Sequence, residues 1–379
     1  MSQPIDPEKK LDAARGMREL ISEQRTAIEE ERKLPPPVLE ALGQLGVFRA
    51  LVPAAAGGEE WDLLTWLRVV EELSRHDASV GWNAGVGASA SSIVTGWLSG
   101  DAARRVTTAD PNGVIAGAPQ GRARPVDGGY VLNGRWQFAS GISHAGFVLA
   151  GFALEGEEPR LGRIAFLPVE DVEVIDTWFV GGMRGTASHD FAVKDRFIPA
   201  DFAVHVVEEP PVHEGALYAL PIGFTLGSSL GPLALGIARG AIDTFVEAIG
   251  AKVDRFSGAR MADRMTVQER VAKAEALVRS ARAYYYDSTE EIWEMVRNGR
   301  EPDQRERALA KLALVNAVES GAQAVDIVYR AAGTSAIFTS NPLERFFRDI
   351  HVATQHRFAS PEEIYQVGGV LLGVGELPW

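Results

Sequence analysis

The chain has 379 residues, of which 46% are hydrophobic and 23% charged, enough to bury about two or three packed regions and too apolar for a disordered chain. A formal charge of −13 would repel a phosphate backbone, and no basic stripe with interleaved aromatics offsets it, so nucleic acid is excluded as a partner. The absence of cysteine excludes disulfides, thiolate metal sites and a cysteine nucleophile, and it suits a cytoplasmic protein.

The first residues, MSQPIDPEKKLDAARGMREL, carry charges of both signs and no apolar run, so no secretory signal is expected. From residue 8 to about 110 the apolar residues fall three and four apart, which predicts helices. Val38, Leu42 and Leu45 form one stripe after the cluster Pro35 to Pro37, with Gly46 as its C-cap. A second helix starts near Asp62 and carries Leu63, Trp66, Leu67, Val70 and Leu73 toward a core; Pro53, Gly57 and Gly58 break the chain between the two. Gly85-Val86-Gly87-Ala88-Ser89-Ala90 fits a loose dinucleotide fingerprint. Its flanks are helical on both sides, so close helix packing is the reading preferred to a nicotinamide site.

Near Asn112 the period changes to short runs rich in Val, Ile, Phe and Tyr: GVIAGAPQG, YVLNGRWQFAS, FVLAGFAL and RIAFLPV. Glycine turns at Asp127-Gly128-Gly129 and Asn133-Gly134 separate them, and the β signal ends near Asp201. Within it, Gly134 to Gly141 presents Trp136, Phe138 and Ser140 along one strand. That segment reads either as a strand edge with core aromatics or as a platform for a flat heterocycle, its ring stacked on an aromatic and its edge nitrogen bonded by the hydroxyl. Helical periodicity then returns over Leu226 to Ile249, Val267 to Arg297, Ala308 to Arg330 and Glu344 to Phe358, which predicts a bundle. Ala216 to Ala238 holds no charge and is long enough to span a bilayer, but its prolines and glycines favour a helix buried in protein, and no membrane partner is expected. The histidines lack the H-E-x-x-H pattern, and His351 and His356 lie five apart, so no metal site is expected. The fold class is α+β: an N-terminal helical domain over 1–111, a central β-barrel-like domain over 112–205 and a C-terminal four-helix bundle over 206–379.

The order of these pieces carries a resemblance. G-V-F-R-A-L-V-P-A-A-A-G-G, N-G-R-W-Q-F-A-S-G, G-M-R-G-T-A-S-H-D-F-A-V-K-D-R-F-I-P and N-P-L-E-R-F-F-R-D-I-H follow one another over nearly the whole chain, which resembles the acyl-CoA dehydrogenase superfamily. The resemblance implies an oxidoreductase binding FAD or FMN and assembled as a homotetramer. It places Trp136 and Phe138 beside the flavin ring, Ser140 near N5, and Thr186 and Ser188 within reach of the cofactor phosphates. Gly333 and Thr334 match a loop contributed by a neighbouring subunit, and either Arg255 or Arg260 matches a basic residue that does the same.

Two departures point within that superfamily. Acyl-CoA dehydrogenases take the substrate proton with a glutamate shortly after an R-D pair, yet eight residues after Asp349 stands Arg357, with His356 beside it. The phosphate-side segment usually like G-A-G-S-D reads A-P-Q-G-R-A-R here. Both resemble the flavin-dependent monooxygenases of the superfamily, which receive reduced flavin from a separate reductase, react it with O2 and pass an oxygen atom to an aromatic or heteroatom substrate. That resemblance implies His356 as the proton-moving residue with Ser140 holding N5, while a histidine near a helix end also serves merely to meet terminal carbonyls. His144 reads as either a pocket-lining or a turn histidine, and His189 as a turn stabiliser. The residue matching a phenol-receiving histidine is Ala90, which argues against phenol hydroxylation in particular. The competing expectations are an acyl-CoA dehydrogenase with its base moved to Glu362 or Glu363, and a non-catalytic scaffold of the same fold.

Overall fold

Capping residues set the N-terminal helices of the computed structural model, which describes residues 6–108, 115–118, 121–158, 162–250, 252–254 and 258–377. The first helices are α1 (Pro7–Gly16), α2 (Arg18–Glu31), α3 (Pro36–Leu45), α4 (Leu63–His76), α5 (Ala78–Trp97) and α6 (Gly100–Thr108). Prolines open α3, and Gly46 closes it at φ 83°, in the left-handed region that glycine adopts without strain. Val38, Leu42 and Leu45 are buried as their spacing predicts. The Asp62 carboxylate accepts the Thr65 N–H at 3.0 Å and so starts α4. The glycine-rich segment 85–90 lies inside α5, where a side chain at Gly87 would come within 2.6 Å of the Phe48 ring; it is a helix-packing surface.

Among the described residues eight strands follow: β1 (Ile115–Ala118), β2 (Arg122–Val126), β3 (Gly129–Ala139), β4 (Phe147–Leu154), β5 (Arg163–Pro168), β6 (Glu173–Ile175), β7 (His189–Pro199) and β8 (Ala203–His205). They form one sheet in the order β6-β7-β3-β2-β4-β5-β8. β1 and β2 both run parallel to β4, Ile115 opposite Phe147 and Arg122 opposite Ala153, so they cover successive stretches of one edge. Asp127-Gly128-Gly129 makes the expected turn between β2 and β3. Asn133-Gly134 does not: it is an irregularity inside β3, where Asn133 and Asp195 of β7 exchange two hydrogen bonds of 2.8 and 3.2 Å. Buried Trp136, Phe147, Val148, Phe166, Phe191 and Ile198 belong to the core cluster of this sheet.

The remaining helices are α7 (Ala216–Ala219), α8 (Ile222–Gly227), α9 (Leu230–Gly250), α10 (Met265–Arg297), α11 (Gln304–Ala332), α12 (Pro342–Ala353) and α13 (Pro361–Leu371). The uncharged stretch from Ala216 is thus divided among α7, α8 and α9. Among the described residues no helix is long and apolar enough to cross a membrane. By contacts the chain forms two compact units, residues 1–66, 83–179 and 184–226 in the first and 67–82, 180–183 and 227–379 in the second. Most of α4 therefore packs with the C-terminal helices, and glycines on α9 make the approach possible: a Cβ on Gly236 would lie 2.2 Å from the Glu71 carbonyl oxygen and one on Gly240 2.4 Å from that of Arg75. Gly236→Ala should destabilise the protein by about 1–3 kcal/mol, the usual cost of overpacking. An unchanged urea midpoint would contradict this close packing.

Candidate functional site

In the first unit the site starts from a break in strand β3. Side chains two apart on a regular strand share a face, yet Trp136 is fully buried whereas Phe138 is 66% exposed. The pairing with β7 slips between Trp136 and Ala139, and Phe138 takes φ 61°, a left-handed conformation rare for a bulky residue. Ser140 N–H closes the bend onto the Phe138 carbonyl at 2.9 Å. Trp136 accordingly leaves the candidate site: its ring stacks on Phe191 at 4.9 Å and its Nε1–H donates to the Gly151 carbonyl at 2.8 Å. This corrects the expectation that both aromatics lie along the cofactor.

Ser140, Ser188 and Thr186 do come together. Ser140 Oγ and Ser188 Oγ are 2.8 Å apart, Ser188 Oγ and Thr186 Oγ1 are 2.8 Å apart, and all three residues are buried. The Gly141 N–H donates to the Thr186 carbonyl at 2.8 Å and ties the two segments at the main chain. The Trp178 ring stands edge-on to Phe138 with centroids 6.3 Å apart, a neighbour not foreseen from sequence. Its segment is held by Arg32, which pairs with Asp176 through two hydrogen bonds of 2.6 and 2.8 Å, and by His189, whose Nδ1 accepts the Trp178 N–H at 3.4 Å. Burial pushes the His189 pKa down. His144 fastens the main chain: its Nε2 accepts the Leu34 N–H at 3.1 Å, and burial, helped by Lys33, lowers its pKa to about 4.

In the second unit His356 caps the short helical turn Arg357–Ala359, its Nδ1 accepting the Phe358 N–H at 3.3 Å. Burial lowers its pKa to about 4, so the ring is neutral at neutral pH and, with Nδ1 an acceptor, carries its proton on Nε2. Trp82 meets it edge-on at 5.3 Å and Phe358 lies 5.3 Å away on a tilted plane. Trp82 carries no polar pattern that would have marked it; in sequence it is one more apolar residue on a helix. Asp349 of the R-D pair is buried and accepts the Met183 N–H at 2.5 Å, while Arg345 is paired with Asp77 and lies 3.7 Å from Asp349. The two candidate bases differ in their surroundings. Glu363 is buried in an ion pair with Lys311, and Glu362 is exposed on the first turn of α13. Arg260 is exposed and donates to the Gly250 carbonyl at 3.3 Å, and Arg255 lies outside the described residues. Gly333 and Thr334 are exposed where α11 ends.

Residues 11–100 match the acyl-CoA dehydrogenase N-terminal domain and residues 228–361 the acyl-CoA dehydrogenase C-terminal domain. The chain is 31% identical over 345 residues to an indole-3-acetate monooxygenase of Acinetobacter baumannii, covering 90% of this chain and 88% of that one.

The chain belongs to the acyl-CoA dehydrogenase family.

It is 28% identical over 385 residues to the oxygenase subunit HsaA, a flavin-dependent monooxygenase of Mycobacterium tuberculosis, covering 97% of this chain and 96% of the other. The crystal structure of the HsaA monooxygenase from M. tuberculosis superposes with a TM-score of 0.88 at 26% identity, covering 98% of this chain and 99% of that one. XiaF from Streptomyces sp., solved with FADH2 and glycerol, shares the fold at a TM-score of 0.89 and 21% identity over 98% of this chain and 96% of that one. Within the family the chain groups with the flavin-dependent monooxygenases, and it is a flavin-dependent oxidoreductase.

The depressed histidines have a thermodynamic consequence. The unfolded ring takes up a proton near its ordinary value of 6.5, but the folded His144 ring does so only near 4. Between those values the unfolded state binds more protons, so stability is lost as pH falls through the window. Denaturant unfolding at pH 7 and at about pH 5 should show this loss, and His144→Gln should reduce it. An equal acid loss in the variant would contradict the assignment.

Proposed function

We propose that the protein is the oxygenase component of a two-component system that takes reduced FAD or FMN from a separate flavin reductase and uses O2 to oxygenate a small aromatic substrate. The observation that carries this reading is the pairing of an exposed aromatic, Phe138, with the hydroxyl of Ser140 on one bend of β3. A flat ring with a hydrogen-bonding edge atom fits that pair, the face on the aromatic and the edge at the hydroxyl. Reduced flavin would supply the electrons that let O2 give one oxygen atom to the substrate and the other to water.

The protein's own groups have separable tasks in this reading. Phe138 and Ser140 seat the ring, and Trp178 walls its side. His356, neutral and protonated on Nε2, donates a hydrogen bond at the reacting oxygen and relays a proton there. The dehydrogenase alternative needs a free carboxylate; Glu363 is engaged by Lys311 and Arg357 stands in the place after the R-D pair, which leaves it, of the two candidates, the exposed Glu362. The scaffold alternative gives way because the relatives are enzymes. Gly333, Thr334 and Arg260, all exposed, are available to a neighbouring subunit's cofactor in a homotetramer working in the cytoplasm.

The test supplies reduced flavin, O2 and indole-3-acetate, the compound that names one relative, and measures oxygenated product against hydrogen peroxide. His356→Ala should lower coupled product on the order of a hundredfold and release peroxide instead. The wild-type rate should show no imidazole step between about 4 and 6.5. If oxidised flavin on the protein is instead bleached anaerobically by an acyl-CoA, the dehydrogenase reading stands and this one falls.

A further inference from the structure

The His356 Nδ1 accepts the Phe358 N–H at 3.3 Å, longer than the usual range, and so holds one ring atom only loosely. A half-turn about the Cβ–Cγ bond would exchange Nδ1 with Cδ2 and Nε2 with Cε1, putting carbon where the N–H donor stands. The plane of the ring is set by what packs on it. Trp82 meets it edge-on, with centroids 5.3 Å apart and planes at 67°, and Phe358 lies 5.3 Å away at 36°; tilted and edge-on contacts are the ones aromatic rings prefer. Both neighbours are themselves held. Trp82 lies near the start of α5, which Asp77 caps by accepting the Ser79 and Val80 N–H groups at 2.8 and 3.2 Å. Asp77 is also paired with buried Arg345 of α12, and the His356 N–H donates at 3.1 Å to the carbonyl of Ala353, the last residue of α12. A buried ion pair thus ties the helix that carries Trp82 to the helix that leads to His356. Gly227, at the end of α8, makes room for the other ring: a Cβ there would lie 3.1 Å from Phe358 Cδ2.

We propose that Trp82 is a positioning residue for oxygen transfer: its ring, together with that of Phe358, holds the His356 imidazole in one plane and one orientation, so that Nε2–H keeps a single direction. This role rests on the reading of His356 as the group that donates to the reacting oxygen. The neutral ring has one N–H to offer, and a hydrogen bond weakens steeply once its angle falls below about 120°. A ring that tilts or flips therefore loses both the bond to oxygen and the path for the proton. Trp82 need touch neither flavin nor substrate to have this effect.

Nitrogen NMR of isotope-labelled histidine reads the ring directly, without flavin or turnover. In the wild-type protein at neutral pH the His356 signals, identified by their loss in His356→Gln, should show Nδ1 bare and Nε2 protonated. Trp82→Leu keeps an apolar side chain but no ring, and it should move both signals toward the average of the two tautomers. In turnover with reduced flavin, O2 and indole-3-acetate it should lower the ratio of oxygenated product to hydrogen peroxide about tenfold, short of the loss expected from removing the imidazole. Trp82→Phe returns a ring to the contact and should restore the nitrogen signals and most of the ratio. Gly227→Ala presses on Phe358 and should disturb the same signals without touching Trp82, and it carries the test alone if Trp82→Leu does not fold. Unchanged nitrogen signals in Trp82→Leu, or in Gly227→Ala where only that variant folds, would overturn the role whatever the product ratio. Equal disturbance in Trp82→Phe and Trp82→Leu would overturn it too. If His356→Ala itself keeps the wild-type ratio, the reading of His356 falls instead, and the role of Trp82 with it.

Discussion

The bend in β3 between Trp136 and Ala139 is the constraint on which the candidate site depends. Without it the period of the strand would put Phe138 on the face of Trp136, inside the sheet. With it, Trp136 fills the core against Phe191 while Phe138 turns out to solvent and Ser140 turns toward Ser188. A positive φ at phenylalanine costs on the order of 1 kcal/mol or more. The tightly packed indole beneath it, bonded to Gly151 and stacked on Phe191, fixes the register against that cost. A strained residue held by a rigid core is the arrangement expected where a side chain must be presented rather than buried.

Around that bend, and separately around His356, the protein spends polar groups on holding main chain. His144 accepts from Leu34, His189 from Trp178, His356 from Phe358, and Asp349 from Met183. Each is a side-chain acceptor meeting a backbone N–H, three of them outside helix and strand and that of Phe358 within the short helical turn that His356 caps. For histidine the choice has a chemical result. An acceptor nitrogen at one ring position forces the proton to the other and, together with burial, keeps the ring neutral. His356 is thereby left as a neutral ring with a hydrogen-bond donor at Nε2, the state that its proposed role uses.

Much of this was legible in the sequence. The helix of Val38, Leu42 and Leu45 with its glycine cap, the start of α4 at Asp62, the β runs and the long C-terminal helices all rest on local signals of period and capping, and those signals held. What failed was non-local. Asn133-Gly134 has the composition of a turn, but its geometry is set by Asp195 on the facing strand. Alternation along a strand groups Trp136 with Phe138, and a bulge is invisible until the partner strand is placed. Trp178, Trp82 and the Arg345, Asp77 and Asp349 cluster were missed for the same reason: their meaning lies in contacts between distant residues. Family resemblance points to Ser140, Ser188 and Thr186; the structure adds that their hydroxyls touch.

The most direct measurement of the central claim is a crystal structure of the protein soaked anaerobically with reduced flavin. The account expects the ring face against Phe138, N5 within hydrogen-bonding distance of Ser140 Oγ, and the positive φ of Phe138 unchanged. Flavin bound elsewhere, or a Phe138 that swings into the sheet with the ring displaced from Ser140, would contradict it.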